Sequence, residues 1–327
     1  MPPNTLALRL VAALAISLAP LCGSAIAQQA YPTGVVKIIV PYAAGGAVDP
    51  MARLMADRLS RALGQNFVVE NRPGAGGNIG IEAAIRSAHD GYTLLATPAG
   101  IAINPALFAK VPYDLDRDLV PVGLVNRIPM VVLAAPSLGV KSLQELIARI
   151  KEKPGAVNYA ISGNGTLDHL VCEHLRAVAG LDMVKVTYQG VPKGMTALLA
   201  GEVQMMVVAM NAALPYIQAG QVTALAVTSA ERSSVAPGVP TMAEAGINNF
   251  VMYGWSMLFA PAGVPQDIVA KLNAEITKAV AQPELRKIIA DLGGESPALG
   301  LPELKSFVHD NAALFAGIVR ASGVKID

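Results

Sequence analysis

Two apolar patterns alternate along the chain. One is a short run of β-branched or aliphatic residues closed by glycine or proline, the other an apolar stripe at helical spacing. Residues 35–40, between Gly34 and Pro41, read as a buried strand. After Gly45-Gly46, the residues Met51, Leu54, Met55, Leu59, Ala62 and Leu63 fall on one helical face, with Arg53, Asp57, Arg58 and Arg61 largely outside it. Asp49 is expected to cap this helix, Pro50 to sit in its first turn and Gly64 to stop it. Further strands are expected at 67–69 and 92–96, with a glycine-rich turn at 74–80 entering a helix that runs through Ile85. The rhythm then restarts. Strands are expected at 130–135, 157–161, 184–188, 203–208 and 225–228, and helices at 142–151, up to Ala179 after the turn 162–166, and at 195–199. From Pro265 onward the spacing is helical. This alternation predicts α/β layers with a largely parallel sheet. Two successive sets predict two lobes, with a ligand crevice at the strand carboxyl ends. The C-terminal helices are expected to pack on the first lobe.

Composition narrows the class. Of 327 residues, 53% are hydrophobic and 15% charged, which fits a large buried core and excludes general disorder. A formal net charge of +1, without a Lys/Arg cluster, gives no footprint for nucleic acid. The first 27 residues read as an export leader: Arg9, an apolar run at 10–21, then the small-x-small site Ala25-Ile26-Ala27. The run is too short to span a bilayer comfortably, so the expectation is cleavage after Ala27 and a periplasmic protein. Cys22 leaves with the leader. Cys172 then stands alone in an oxidising compartment, in an apolar helical stretch, as a buried inert thiol.

Two loops carry the candidate chemistry. Tyr42, Ala44, Gly45, Gly46, Ala47, Val48 and Asp49 join a strand to a helix start, where glycine allows close backbone approach and first-turn N–H groups favour an anion. Ser162, Gly163, Asn164, Gly165 and Thr166 repeat that chemistry in the second set, adding two hydroxyls and an amide. A tight turn with no ligand is the competing reading of each. Asp49 either caps its helix or receives a ligand amine, hydroxyl or water. His169 follows the second loop and can touch the cleft edge, or be a satisfied helix histidine. Trp255, the only tryptophan, reads as packing near a lobe crossing, with stacking on a ligand as the alternative. No cofactor is indicated: the 74–80 turn has Ile79 at the third glycine position of a dinucleotide loop and lacks a Walker Gly-Lys-Ser/Thr. The four histidines lack metal-ligand spacing, and no Gly-x-Ser-x-Gly elbow is present, so an enzyme is not expected.

Several blocks in order carry a family resemblance. They include Ile39-Val40-Pro41-Tyr42 with Gly45-Gly46 and Asp49, Val69-Glu70-Asn71-Arg72-Pro73-Gly74-Ala75-Gly76-Gly77-Asn78-Ile79-Gly80, Asp90-Gly91-Tyr92-Thr93-Leu94-Leu95, and Pro240-Thr241-Met242-Ala243-Glu244-Ala245-Gly246. With these the chain resembles the Bug-type extracytoplasmic solute receptors of tripartite tricarboxylate transporters, over nearly all of its mature length. The resemblance implies a two-lobed Venus-flytrap fold of the type II periplasmic binding-protein class, each lobe a sheet flanked by helices. Lobe 1 would take residues 28–128 and 256–327, lobe 2 residues 129–255, with crossings near 130–135 and 251–258. It implies a monomeric receptor that grips a small organic carboxylate through the Tyr42–Asp49 and Ser162–Thr166 loops and delivers it to the membrane components of the transporter. By analogy Thr97, Ala99 and Asn104 line one wall, and Gly190 and Asn211 the other. An alternative of the same binding chemistry is a sensing module that docks on a sensor kinase or other signalling partner without transport. The chain departs from the family at Pro50, at Met205-Met206-Val207-Val208-Ala209-Met210-Asn211 and at Val191-Pro192-Lys193-Gly194. Placed at the cleft, those changes would suit a less hydrophilic or aromatic carboxylate.

Overall fold

The computed structural model describes residues 31–46 and 48–324. The expected leader, Cys22 and Ala47 lie outside the described residues. The first half-sheet is built from β1 (Val36–Val40), β2 (Phe67–Asn71) and β3 (Thr93–Pro98). Helices α1 (Asp49–Leu63) and α2 (Asn78–Ile85) connect them, and α3 (Gly100–Leu107) and the short α4 (Leu115–Asp118) follow. A long strand, β4 (Leu119–Ala134), leads into the second half-sheet of β5 (Asn158–Ile161), β6 (Val184–Thr187), β7 (Met205–Ala209) and β8 (Thr223–Val227). Helices α5 (Leu143–Glu152), α6 (Leu167–Ala179), α7 (Val191–Ala200) and α8 (Met210–Gln218) alternate with these strands. The chain returns as β9 (Tyr253–Pro261) and ends in α9 (Gln266–Ala281), α10 (Pro283–Asp291) and α11 (Leu301–Ser322).

The strand order is β2-β1-β3-β9-β4-β7-β5-β6, with β8 also on β4. The pairs β1–β2, β1–β3, β5–β6 and β5–β7 are parallel, but every pair made by β4 and β9 is antiparallel. The expectation of a largely parallel sheet is therefore corrected: the two strands at the join run against their neighbours. β4 changes partners along its length. Residues from Leu119 to Pro129 pair with β9, and those from Met130 onward with β7 and β8. Its first half escaped the apolar pattern because Pro121, Gly123, Asn126 and Pro129 interrupt it, and the register shifts next to Pro121, which has no N–H to give the ladder.

Local chemistry explains the elements around the loops. α1 buries Met51, Met55 and Leu59 and ends in left-handed Gly64, as its spacing requires. Asp49 does not cap it. Val48 is the N-cap, and Asp49 is the first helical residue, its carboxylate turned back into the preceding loop. Helix α2 lies so close to β1 that a Cβ on Gly80 would stand 2.7 Å from Arg72 O and from Pro41 Cα. Cys172 is fully buried in α6, and burial pushes its thiol well above the ordinary range. The last helix packs where expected and one place more. α11 packs on α3 and β4, but also on α6 of the second set.

Candidate functional site

Each candidate loop is held from behind by a buried acid. In the first, Asp49 accepts from Gly45 N–H at 3.0 Å, from Arg53 Nε at 3.0 Å and from Asn71 Nδ2 at 2.9 Å. The Arg53 guanidinium, the Gly45 N–H and the Asn71 amide together hold the Asp49 carboxyl down to about 2. Asn71 also donates to Tyr42 O at 3.1 Å, so one side chain fixes both ends of the turn. In the second, Asp168 accepts from Ser162 N–H at 2.6 Å and from Ser162 Oγ at 2.8 Å. Thr166 Oγ1 donates to Gly163 O at 2.7 Å, and His169 Nδ1 accepts from Gly165 N–H at 3.1 Å. Both hydroxyls expected to face a ligand are thus spent as donors inside the loop.

Between the half-sheets lies a cavity of about 430 Å³. Tyr42, Ala99 and Asn104 line it from the first set, and Asn164, Gly165 and Thr166 from the second. The N-terminal ends of α3 and α6 both reach it, through Ala99-Gly100 and Thr166-Leu167. First-turn N–H groups have no partner within their own helix, so each end offers uncharged donors suited to an anion. The glycine-rich turn also contributes. Gly76, held at φ 64°, lines the cavity, and its carbonyl accepts from Asn104 Nδ2 at 3.1 Å and Tyr42 OH at 3.4 Å. Burial raises the Tyr42 phenol above its usual range, keeping it a hydrogen-bond donor.

Other candidates stand elsewhere. Ala44, Gly45, Gly46, Val48 and Asp49 form the turn beside Tyr42 without lining this cavity, and Ser162 and Gly163 do not line it either. Thr97 is fully buried and offers no cavity surface. His169 is also fully buried, with Nε2 3.6 Å from Glu173 Oε1, so it braces the loop from the core. Gly190 is the N-cap of α7, its N–H donating to Ser162 O at 3.0 Å, and Asn211 is exposed at the start of α8. The departures expected to set ligand choice do not line the cavity. Met205 to Val208 are buried core positions of β7, and exposed Lys193 donates to Gln189 Oε1 at 2.8 Å.

Sequence reasoning missed part of the wall. Ile103, Leu107, Phe108, Leu167, Gly254 and Trp255 also line the cavity. Trp255 does pack, edge-on against Phe307 with ring centroids 5.9 Å apart, and its Nε1 donates to Asn311 Oδ1 at 3.4 Å. Both partners lie on α11, so the last helix sets the indole at the cavity wall. No group of three or more His, Cys, Asp or Glu among the described residues could hold a metal ion.

Comparisons with known proteins agree on one group. A model described as tripartite tricarboxylate transporter family receptor matches residues 51–324. Protein BugT of Bordetella pertussis is 37% identical over 322 residues, covering 97% of this chain and 98% of BugT. A Rhodopseudomonas palustris protein solved with adipate is 30% identical, with a TM-score of 0.78 over 90% of this chain and 98% of that one. MatC from Rhodopseudomonas palustris, solved with bound malate, is 33% identical, with a TM-score of 0.74 over 88% of this chain and 100% of MatC. The architecture is that of periplasmic binding proteins of this type, a curled mixed sheet flanked by helices.

Proposed function

Because this chain belongs to the tripartite tricarboxylate transporter receptor family, we propose that it captures a small organic carboxylate in the cavity between its two half-sheets and delivers it to the membrane components of such a transporter. The observation that carries this reading is the meeting of Tyr42, Ala99 and Asn104 with Asn164, Gly165 and Thr166 around one cavity. The ligand's carboxylate sits on backbone N–H groups at the N-terminal ends of α3 and α6, and Asp168 and His169 hold the turn that leads into α6 from behind. The adipate and malate bound by solved relatives support a carboxylate.

In this reading the leader is removed after Ala27 and the mature protein works in the periplasm. Among the described residues no helix is long and apolar enough to cross a membrane. Lobe 1 comprises residues 28–128 and 256–327, and lobe 2 residues 129–255. The switch of β4 from β9 to β7 and β8 after Pro129 supports the first boundary. Contacts made from both lobes favour the closed form, because only closure satisfies them together.

The test is a thermal-shift screen of the refolded mature chain, starting at Gln28, against mono-, di- and tricarboxylates. A ligand bound only by the folded state raises Tm by mass action. A specific rise with one acid is expected. No rise with any acid overturns the carboxylate reading.

A further inference from the structure

The cavity wall has a chemistry of its own. Among the described residues that line it, none is charged. Its polar side chains are largely engaged within the protein. Asn104 donates to Gly76 O and to Asn78 Oδ1, each at 3.1 Å, and Thr166 Oγ1 donates to Gly163 O. Tyr42 donates to Gly76 O, and Asn164 Oδ1 accepts from Lys185 Nζ at 3.4 Å. Trp255 turns its N–H away to Asn311. What remains for a ligand is backbone N–H at the helix ends, the exposed Asn164 amide nitrogen, and a run of apolar surface from Ile103, Leu107, Phe108, Leu167 and Trp255.

Resting on the receptor reading above, we infer that the ligand is an acid with an unhydroxylated apolar body, aromatic or alkyl. Its carboxylate lies on the backbone donors and its body against Phe108 and Trp255. A hydroxyl on that body would leave water for the apolar stretch of Ile103, Leu107, Phe108, Leu167 and Trp255, and a buried polar group without a partner is costly. An aromatic or methylene body instead covers apolar surface that water wets poorly. The volume of about 430 Å³ is ample for such an acid. Residues 205–211 and Lys193, whose departures from the family point to the same class, lie away from this cavity. Apart from Trp255, the apolar wall that supports it is formed by residues without a signature in the sequence.

Calorimetric titration of the refolded mature chain with phenylacetate, hexanoate and adipate, against malate and citrate, tests the inference. At least one of the first three should bind about tenfold or more tightly than both hydroxylated acids. Phe108→Ala, at a half-buried wall position, should weaken the best of them by about tenfold while leaving a cooperative melt. Trp255→Leu should do the same. Malate or citrate binding more tightly than all three overturns this inference and leaves the receptor reading standing. Unchanged affinity in both variants removes the acid's body from this wall. Binding by none of the five acids also overturns this inference, while the wider acid screen above decides the receptor reading.

Discussion

The N–H of Gly165 donates to Nδ1 of His169 at 3.1 Å, so a fully buried imidazole one turn into α6 holds the backbone that faces the cavity. Because Nδ1 accepts, the ring proton sits on Nε2, towards Glu173 Oε1. His169→Phe keeps the bulk and removes the acceptor. It should cost about 1–2 kcal/mol of stability and weaken carboxylate binding by about tenfold. His169→Asn, with an amide oxygen in place of Nδ1, should recover part of both. Urea denaturation and calorimetry on the two variants check this, and full affinity in His169→Phe would detach the Gly165 backbone from binding.

Two buried carboxylates contribute to the acid sensitivity of the fold. Burial alone would raise Glu173, but the contacts from His169, Tyr159 and Arg176 outweigh it and hold Glu173 at about 2, near the value of Asp49. Their ordinary values are 4.5 and 3.8. A carboxyl depressed in the folded state contributes stability that is complete above its ordinary value and is lost as pH falls towards its folded one. Tm should therefore decline between about pH 4.5 and pH 2 through these two groups. Asp49→Asn should lower Tm at neutral pH and make that decline shallower. Melting curves at half-unit steps of pH read both effects.

The two loops were legible in the sequence because a strand-to-helix turn rich in glycine has a composition that periodicity brackets on both sides. Gly64 as the stop of α1 was legible for the same reason. What was hidden had no local signature. Asp49 reads as a helix cap because it precedes Pro50, and only the fold reveals that the Gly45 N–H and Asn71 draw its carboxylate back into the loop. α3 carries Pro105 within it and α8 carries Pro215, which argues against a helix in each. Trp255 and Phe108 lie 147 positions apart and share a wall only through the sheet and α11. A ligand wall is a tertiary object, so its members read as ordinary core residues one at a time.

Gly80 measures how tightly the first loop is anchored. Its missing side chain lets α2 approach Pro41, which follows β1 directly and precedes Tyr42. The atoms a Cβ would meet, Arg72 O and Pro41 Cα at 2.7 Å, are backbone and cannot swing aside. Gly80→Ala should destabilise by about 1–3 kcal/mol through overpacking and shift the turn that carries Tyr42. A Tm equal to the parent's would show that α2 can slide outward freely.

Thr228 ties together the two places where the chain passes between half-sheets. Its Oγ1 accepts from Met130 N–H at 2.9 Å and donates to Met252 O at 2.5 Å. Its main chain repeats the link, with Thr228 N–H donating to Met130 O at 2.9 Å and Thr228 O accepting from Met252 N–H at 3.0 Å. Met130 is where β4 takes up its second set of partners, and Met252 immediately precedes β9. The residue is fully buried, so no water can replace the hydroxyl without entering the core. Thr228→Val has nearly the same shape and leaves a buried N–H and a buried carbonyl each short of a partner. The expected loss is about 2–4 kcal/mol. Thr228→Ser keeps the hydroxyl, gives up one methyl group and should lose about 1 kcal/mol or less. Equilibrium unfolding in urea separates the two. If the valine and serine variants are equally stable, the hydroxyl clasp contributes nothing and main-chain pairing alone holds the crossings.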